Sequence, residues 1–350
     1  MKFGILTFHN IPNVGALLQA YSLCMAFRQL GVDCDLIDYT CKNIEKRELK
    51  SPDTGNPLKN FLIRILLWPK TQRKIKKCQA FMKKNGVYST NVYTKDTICD
   101  SVKQYNAIIS GSDMIWNLHV TDYDWTYFCD FIRIKQKCYA YGSSIGAEWD
   151  DKDVSMVKKY LSRYSLIGVR ESDTCRTLNN IGIKSRLVCD PTMLLETNIW
   201  KKISQEPIET NYVLVYFPSK DNIEAAKKYA SKHGLKVILM NWSRAIKGVI
   251  NISPLSPAEW IGYFENASAV FTGSFHGLLF SLYFNKPVWT DNYTNRVGSI
   301  LQKLSIQECY LNKDTNLSYV IDYDRVSSEI CEFRQESLSY IKEIIEDCKQ

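Results

Sequence analysis

His276 is one of only four histidines in a chain of 350 residues. It stands in Gly273-Ser274-Phe275-His276-Gly277, a turn set between two apolar runs. The first run predicts a buried strand ending at Thr272, and the second, from Leu278, predicts a helix. Open α/β sheets bind ligands at the carboxyl ends of strands, beside helix N-termini. An imidazole there can carry protons near neutral pH. Backbone N–H groups around Ser274, Phe275 and Gly277 can hold an anion. The structural alternative is a lone histidine satisfied inside a core.

Three other segments have residue types suited to a site. Ser112, Asp113, Trp116 and Asn117 directly follow an apolar run. Polar edges of this kind bind hydroxyl groups, and a tryptophan ring stacks on the C–H face of a sugar. The alternative is an Asp N-cap followed by a core tryptophan. Arg170, in Gly168-Val169-Arg170-Glu171-Ser172-Asp173, has a fork that suits phosphate or carboxylate. Its alternative is an ion pair with Glu171 or Asp173. Arg296, which opens a late helix, is a second anion candidate. In the loop over 8–16, Asn13 and Gly15 could bring backbone N–H groups close to an anion. That loop lacks the dinucleotide and P-loop signatures, and an ordinary polar turn is its alternative.

These segments need a scaffold that ends strands in polar turns. Residues 2–8 and 32–39 read as strands around a helix over 16–30, whose Leu17, Ala20, Leu23, Phe27 and Leu30 keep helical spacing before Gly31 stops it. Strands follow at 105–109, 137–141, 165–169 and 186–189, each ending in a polar or glycine-rich turn. Residues 42–100 break the rhythm and read as an insertion. A second alternation starts with a strand at 212–217, a helix at 222–233 and a strand at 235–240. Ser256, Pro257 and Glu259 mark a helix start, and residues 267–272 form the strand before His276. The expected architecture is α/β: two Rossmann-like domains, 1–200 and 205–325, facing across a cleft that holds the site. A helix over 326–350 is free to pack back on the first domain.

Bulk properties exclude several classes. Hydrophobic residues make up 45% and charged residues 23%, the proportions of a soluble globular protein. No uncharged apolar run of about 18 residues is available to span a bilayer. Residues 1–8 turn polar too soon for a signal peptide, so a cytoplasmic location is expected. The twelve cysteines show no C-x-x-C and no zinc spacing, so no metal is expected. The net charge of +8 is local, because residues 54–84 carry nine Lys or Arg and no Asp or Glu. A basic helix with apolar runs over 59–84 can lie on an anionic membrane. Its alternative is a helix that covers the first domain and keeps a solvated basic face. No nucleic-acid motif accompanies the charge.

The ordered set of motifs resembles the polysaccharide pyruvyl transferase family. It comprises Thr7-Phe8-His9-Asn10 with the run 13–21, Gly111-Ser112-Asp113-Met114-Ile115-Trp116-Asn117, and residues 139–143. Val169-Arg170-Glu171, residues 190–195, Gly273 to Gly277 and residues 281–287 complete it. The resemblance spans residues 3–305. It implies a fold similar to GT-B glycosyltransferases and no obligatory cofactor. It implies transfer of a pyruvyl group from phosphoenolpyruvate, as co-substrate, to two hydroxyls of one sugar. The products would be a cyclic ketal and phosphate. It implies a catalytic role for His276 and donor binding by Arg170. Some relatives carry arginine two residues before that histidine. Ser274 stands there in this chain, and Arg296 is the expected substitute cation. The expected acceptor is a lipid-linked precursor of a capsule or exopolysaccharide. The alternatives are a nucleotide-sugar glycosyltransferase of similar fold and a non-catalytic glycan-precursor binding protein.

Overall fold

The computed structural model describes residues 1–48, 55–132, 136–217, 219–240, 246–253 and 256–350. Two compact units divide the chain: Met1–Leu195 with Phe333–Gln350, and Glu196–Glu332. Both are Rossmann-like α/β units built on a parallel sheet, the expected fold class.

The first unit holds strands β1 (Lys2–Leu6), β2 (Asp33–Tyr39), β3 (Tyr88–Tyr93), β4 (Ala107–Ser110), β5 (Lys137–Ser143), β6 (Leu166–Val169) and β7 (Arg186–Leu187). Their spatial order is β3-β2-β1-β4-β5-β6-β7, and every pair is parallel. Such sheets are covered on both faces, so their inner strands are apolar throughout. Phe3, Ile5 and Leu6 of β1 and all of β4 are accordingly buried. The helix Val14–Gln29 is apolar nearly all round and is buried over most of its length.

Residues 42–100 are not a simple insertion. They contain the helix Pro57–Lys84 and then β3, which joins the sheet beside β2. The strand Tyr-Ser-Thr-Asn-Val-Tyr escaped the sequence pattern because edge strands tolerate polar and exposed positions. Residues 49–54 of this stretch lie outside the described residues. The last helix, Tyr323–Lys349, returns its later half to the first unit. There the Tyr340 hydroxyl donates to the Ala140 carbonyl at 2.9 Å, and the Tyr139 hydroxyl donates to Asp347 Oδ2 at 2.6 Å.

The second unit holds β8 (Tyr212–Tyr216), β9 (Lys236–Met240), β10 (Ile250–Ile252), β11 (Ala269–Thr272) and β12 (Val288–Trp289). Their order is β10-β9-β8-β11-β12, again all parallel. In both sheets the first strand lies inside, with later strands laid down on each side. The order therefore switches between β1 and β4 in one unit, and between β8 and β11 in the other. Crevices at such switch points are where open α/β sheets bind ligands.

Candidate functional site

The turn after β11 opens at the switch point of the second sheet. Gly273 N–H donates to the Tyr216 carbonyl of β8 at 3.2 Å. Ser274 then caps the helix Phe275–Tyr283, its Oγ accepting from Gly277 N–H at 3.3 Å. Gly277 is required for this approach, since a β-carbon there would collide with Thr272 Oγ1. Eight of the nine residues of the helix are buried. His276 is the exception, only half-buried in the first turn, although its ring Nε2 is closed off from solvent.

Charge around His276 comes from two directions. First-turn N–H groups point outward along a helix axis and carry the positive end of its dipole. Arg296, from the helix Asn295–Lys303, places its guanidinium 5.9 Å from the centre of the Phe275 ring. His276, Ser274, Phe275, Gly277 and Arg296 are thus gathered within one unit. Asp291 lies beside them, with Oδ1 3.4 Å from where a Gly273 β-carbon would stand. Asp291 accepts from Asn222 Nδ2 at 2.6 Å and from the Ser219 hydroxyl. Sequence reasoning missed Ser219, Asn222 and Asp291. The one available signal was the Asp-Asn pair that follows β12.

The switch point of the first sheet is polar and tightly bonded. Thr7 Oγ1, after β1, donates to the Ser112 carbonyl, after β4, at 2.6 Å. Gly111 permits this, because a β-carbon there would lie 2.8 Å from Thr7 Cβ. Asp113 adopts a φ of 79°, a conformation that L-residues other than Asn and Asp rarely take. Its Oδ1 accepts from Met114 N–H at 2.9 Å. Buried His9 bridges the Thr7 carbonyl and Asp38 Oδ1, at 2.8 and 3.3 Å.

Arg170 stands at the end of β6 and is buried. Nε pairs with Glu171 Oε1 and Nη1 with Asp190 Oδ2, both at 2.9 Å. Nη1 also donates to Ser112 Oγ at 3.3 Å, and Nη2 lies 4.0 Å from Asp113 Oδ1. Burial alone would lower its pKa, but the charges of Glu171, Asp190 and Asp113 together raise it. The ion pair with Glu171 therefore forms. Asp173 instead pairs with Arg176 at 2.6 Å. Asp190 also caps Pro191–Leu194 and accepts from Thr192 N–H at 2.9 Å. Asp190 was passed over as a site residue, although Asp before Pro at a strand end is a cap signal.

The remaining candidates of the first unit are structural. Trp116 is wholly buried, stacked on Phe128 with Tyr164 at its edge. Its ring therefore has no face to offer a sugar, and its N–H donates to the Tyr127 carbonyl at 3.2 Å. Asn117 caps Leu118–Thr121, accepting from Val120 N–H at 2.9 Å. Asn13 caps Val14–Gln29 through Ala16 N–H, and Gly15 is buried inside that helix. Burial pushes the Cys189 thiol beside Asp190 up to about 11, so it stays protonated at neutral pH.

No curated protein matches the chain. Among solved structures, a protein from Listeria monocytogenes assigned as a UDP-N-acetylglucosamine 2-epimerase aligns over 97% of this chain and 89% of its own, with a TM-score of 0.54 at 8% identity. The UDP-GlcNAc 2-epimerase of Neisseria meningitidis, solved with UDP-GlcNAc, aligns over 97% and 94%, with a TM-score of 0.51 at 8% identity. At such identity the likeness is one of fold, two Rossmann-like units of the GT-B type. The sequence model for polysaccharide pyruvyl transferases matches residues 13–293, a range that begins after β1 and includes β4, the switch point of the second sheet and the His276 turn. The chain therefore belongs to the polysaccharide pyruvyl transferase family and is a transferase.

Proposed function

We propose that the protein moves a pyruvyl group from phosphoenolpyruvate to two hydroxyls of one sugar in a surface-polysaccharide precursor. The gathering of His276, the first turn of Phe275–Tyr283 and Arg296 carries this reading. A donor with a phosphate and a carboxylate needs two cationic subsites. The helix N-terminus supplies one and Arg296 the other.

In the proposed reaction His276 protonates the donor's methylene carbon, leaving an oxocarbenium-like centre at the adjoining carbon. One sugar hydroxyl attacks that centre and returns a proton to the imidazole. The carbon–oxygen bond to phosphate then breaks as the imidazole passes its proton to the departing phosphate, and the second hydroxyl closes the ketal and returns its own proton to the imidazole. Arg296 and the first-turn N–H groups neutralise the departing phosphate. Arg170, held by three carboxylates, takes a positioning role and orients Ser112, Asp113 and Asp190. We assign the polar edge of the first unit to support of the acceptor, which we take to be lipid-linked.

Calorimetric titration with phosphoenolpyruvate tests the donor. Saturable binding that Arg296→Gln removes is expected. Failure to bind phosphoenolpyruvate, together with saturable binding of a nucleotide sugar, would return the protein to the glycosyltransferase reading.

A further inference from the structure

One surface feature plays no part in the transfer reading. The helix Pro57–Lys84 divides at Pro69. Beyond Pro69 it covers the first unit: Thr71, Cys78 and Met82 are buried, and the Phe81 ring lies 5.3 Å from that of Tyr21. Before Pro69 five apolar side chains face water. Leu58, Phe61, Leu62, Ile65 and Trp68 are 42–69% exposed. Spacings of three and four residues place them on one face, an arc of about 120°. Among the described residues fourteen large apolar side chains are exposed, and five of them fall between positions 58 and 68. That density marks an interaction surface rather than scatter. Along the later half, Lys70, Arg73, Lys76, Lys77, Lys83 and Lys84 are exposed.

We propose that this helix docks the protein on an anionic lipid surface. The apolar stripe would enter the boundary of the acyl chains, and the cations that follow would meet the head groups. The charge pattern selects this occupant over others. Residues 54–84 carry nine cations and no anion. A second copy bound through the same face would set one all-cationic segment against another. A nucleic acid would neutralise the cations but leave the apolar stripe in water. Only an anionic bilayer answers both halves of the helix. The proposal stands on this surface alone, and its test reads lipid binding without turnover, so it does not fall if the transfer reading falls.

The test is flotation of the full chain with vesicles. Binding is expected to vesicles of phosphatidylcholine with phosphatidylglycerol, to fade with added salt, and to be absent with phosphatidylcholine alone. Phe61→Glu/Ile65→Glu is expected to abolish flotation. Arg73→Gln and Lys76→Gln are each expected to weaken it about fivefold. All four side chains are exposed, so the thermal midpoint should not move. Absence of flotation with phosphatidylglycerol at low salt overturns the proposal. So does flotation that survives Phe61→Glu/Ile65→Glu, which would reduce the contact to bulk charge. A dimer in sedimentation velocity, lost with the same double substitution and formed without any vesicle binding, would assign the stripe to a second copy and overturn the proposal as well.

Discussion

The guanidinium of Arg296 lies over the ring of Phe275, 5.9 Å from its centre, beside the one half-exposed residue of the helix that Phe275 begins. The ring limits where the cation can rest, and the first-turn N–H groups give it a companion charge. Arg296→Gln is therefore expected to raise KM for the donor by about 10²-fold, the scale for removing a charged partner from an anion. Steady-state kinetics with varied donor decide it. An unchanged KM would remove Arg296 from the donor site.

His276→Ala is expected to lower turnover by roughly 10²–10⁴ if the imidazole carries the proton. The residue is half-buried in an otherwise buried helix, so a melting temperature taken beside the kinetics separates loss of the proton carrier from loss of the fold. Near-normal turnover in a folded variant would sink the assignment.

For Arg170 the expected loss is one of stability. Glu171, Asp190 and Asp113 all face its fork. Arg170→Ala would leave buried carboxylates uncompensated, at a cost of about 3–5 kcal/mol to the first unit. Arg170→Lys cannot reproduce the forked geometry and should recover only part of this. Urea denaturation would check both, and a wild-type midpoint for Arg170→Ala would contradict the caged geometry.

Trp116 separates a core from a sugar platform. Trp116→Ala is expected to cost about 3–5 kcal/mol. Trp116→Phe should keep acceptor affinity while losing some stability. Loss of acceptor affinity in a fully stable Trp116→Phe enzyme would restore the stacking role.

Asp347 gives a pH dependence with a definite sign. The Tyr139 hydroxyl, and then Lys137, hold its carboxyl below the usual carboxylate range. A folded-state pKa below the unfolded value of about 3.9 stabilises the protein above that pH. The contribution is lost as pH falls from there through the lower folded value. Asp347→Asn should therefore show a shallower loss of stability in that acidic window. An identical acid limb in the two proteins would exclude the linkage.

The sequence displayed His276 because its turn joins two strongly apolar runs, and strand and helix can both be read from them. It displayed Arg170 but not its surroundings. Asp190 is twenty residues away in sequence, and only the parallel pairing of β6 with β7 brings the two strand ends together. Asp291 and Ser219 are separated by 72 residues, and no local pattern links them. Trp116 was ambiguous for a different reason. A tryptophan beside Asp and Asn looks the same whether its ring faces water or Phe128. The strand Tyr88–Tyr93 went unread because its burial does not alternate.

The first unit takes its last eighteen residues, Phe333–Gln350, from beyond the whole of the second. On the ribosome the order of completion is therefore reversed. Glu196–Glu332 is whole while the sheet begun at Lys2 still lacks Ser337 for the Cys189 N–H and Tyr340 for the Ala140 carbonyl. The nascent first unit must wait, with part of its sheet uncovered, for a segment translated 137 residues after its own body ends.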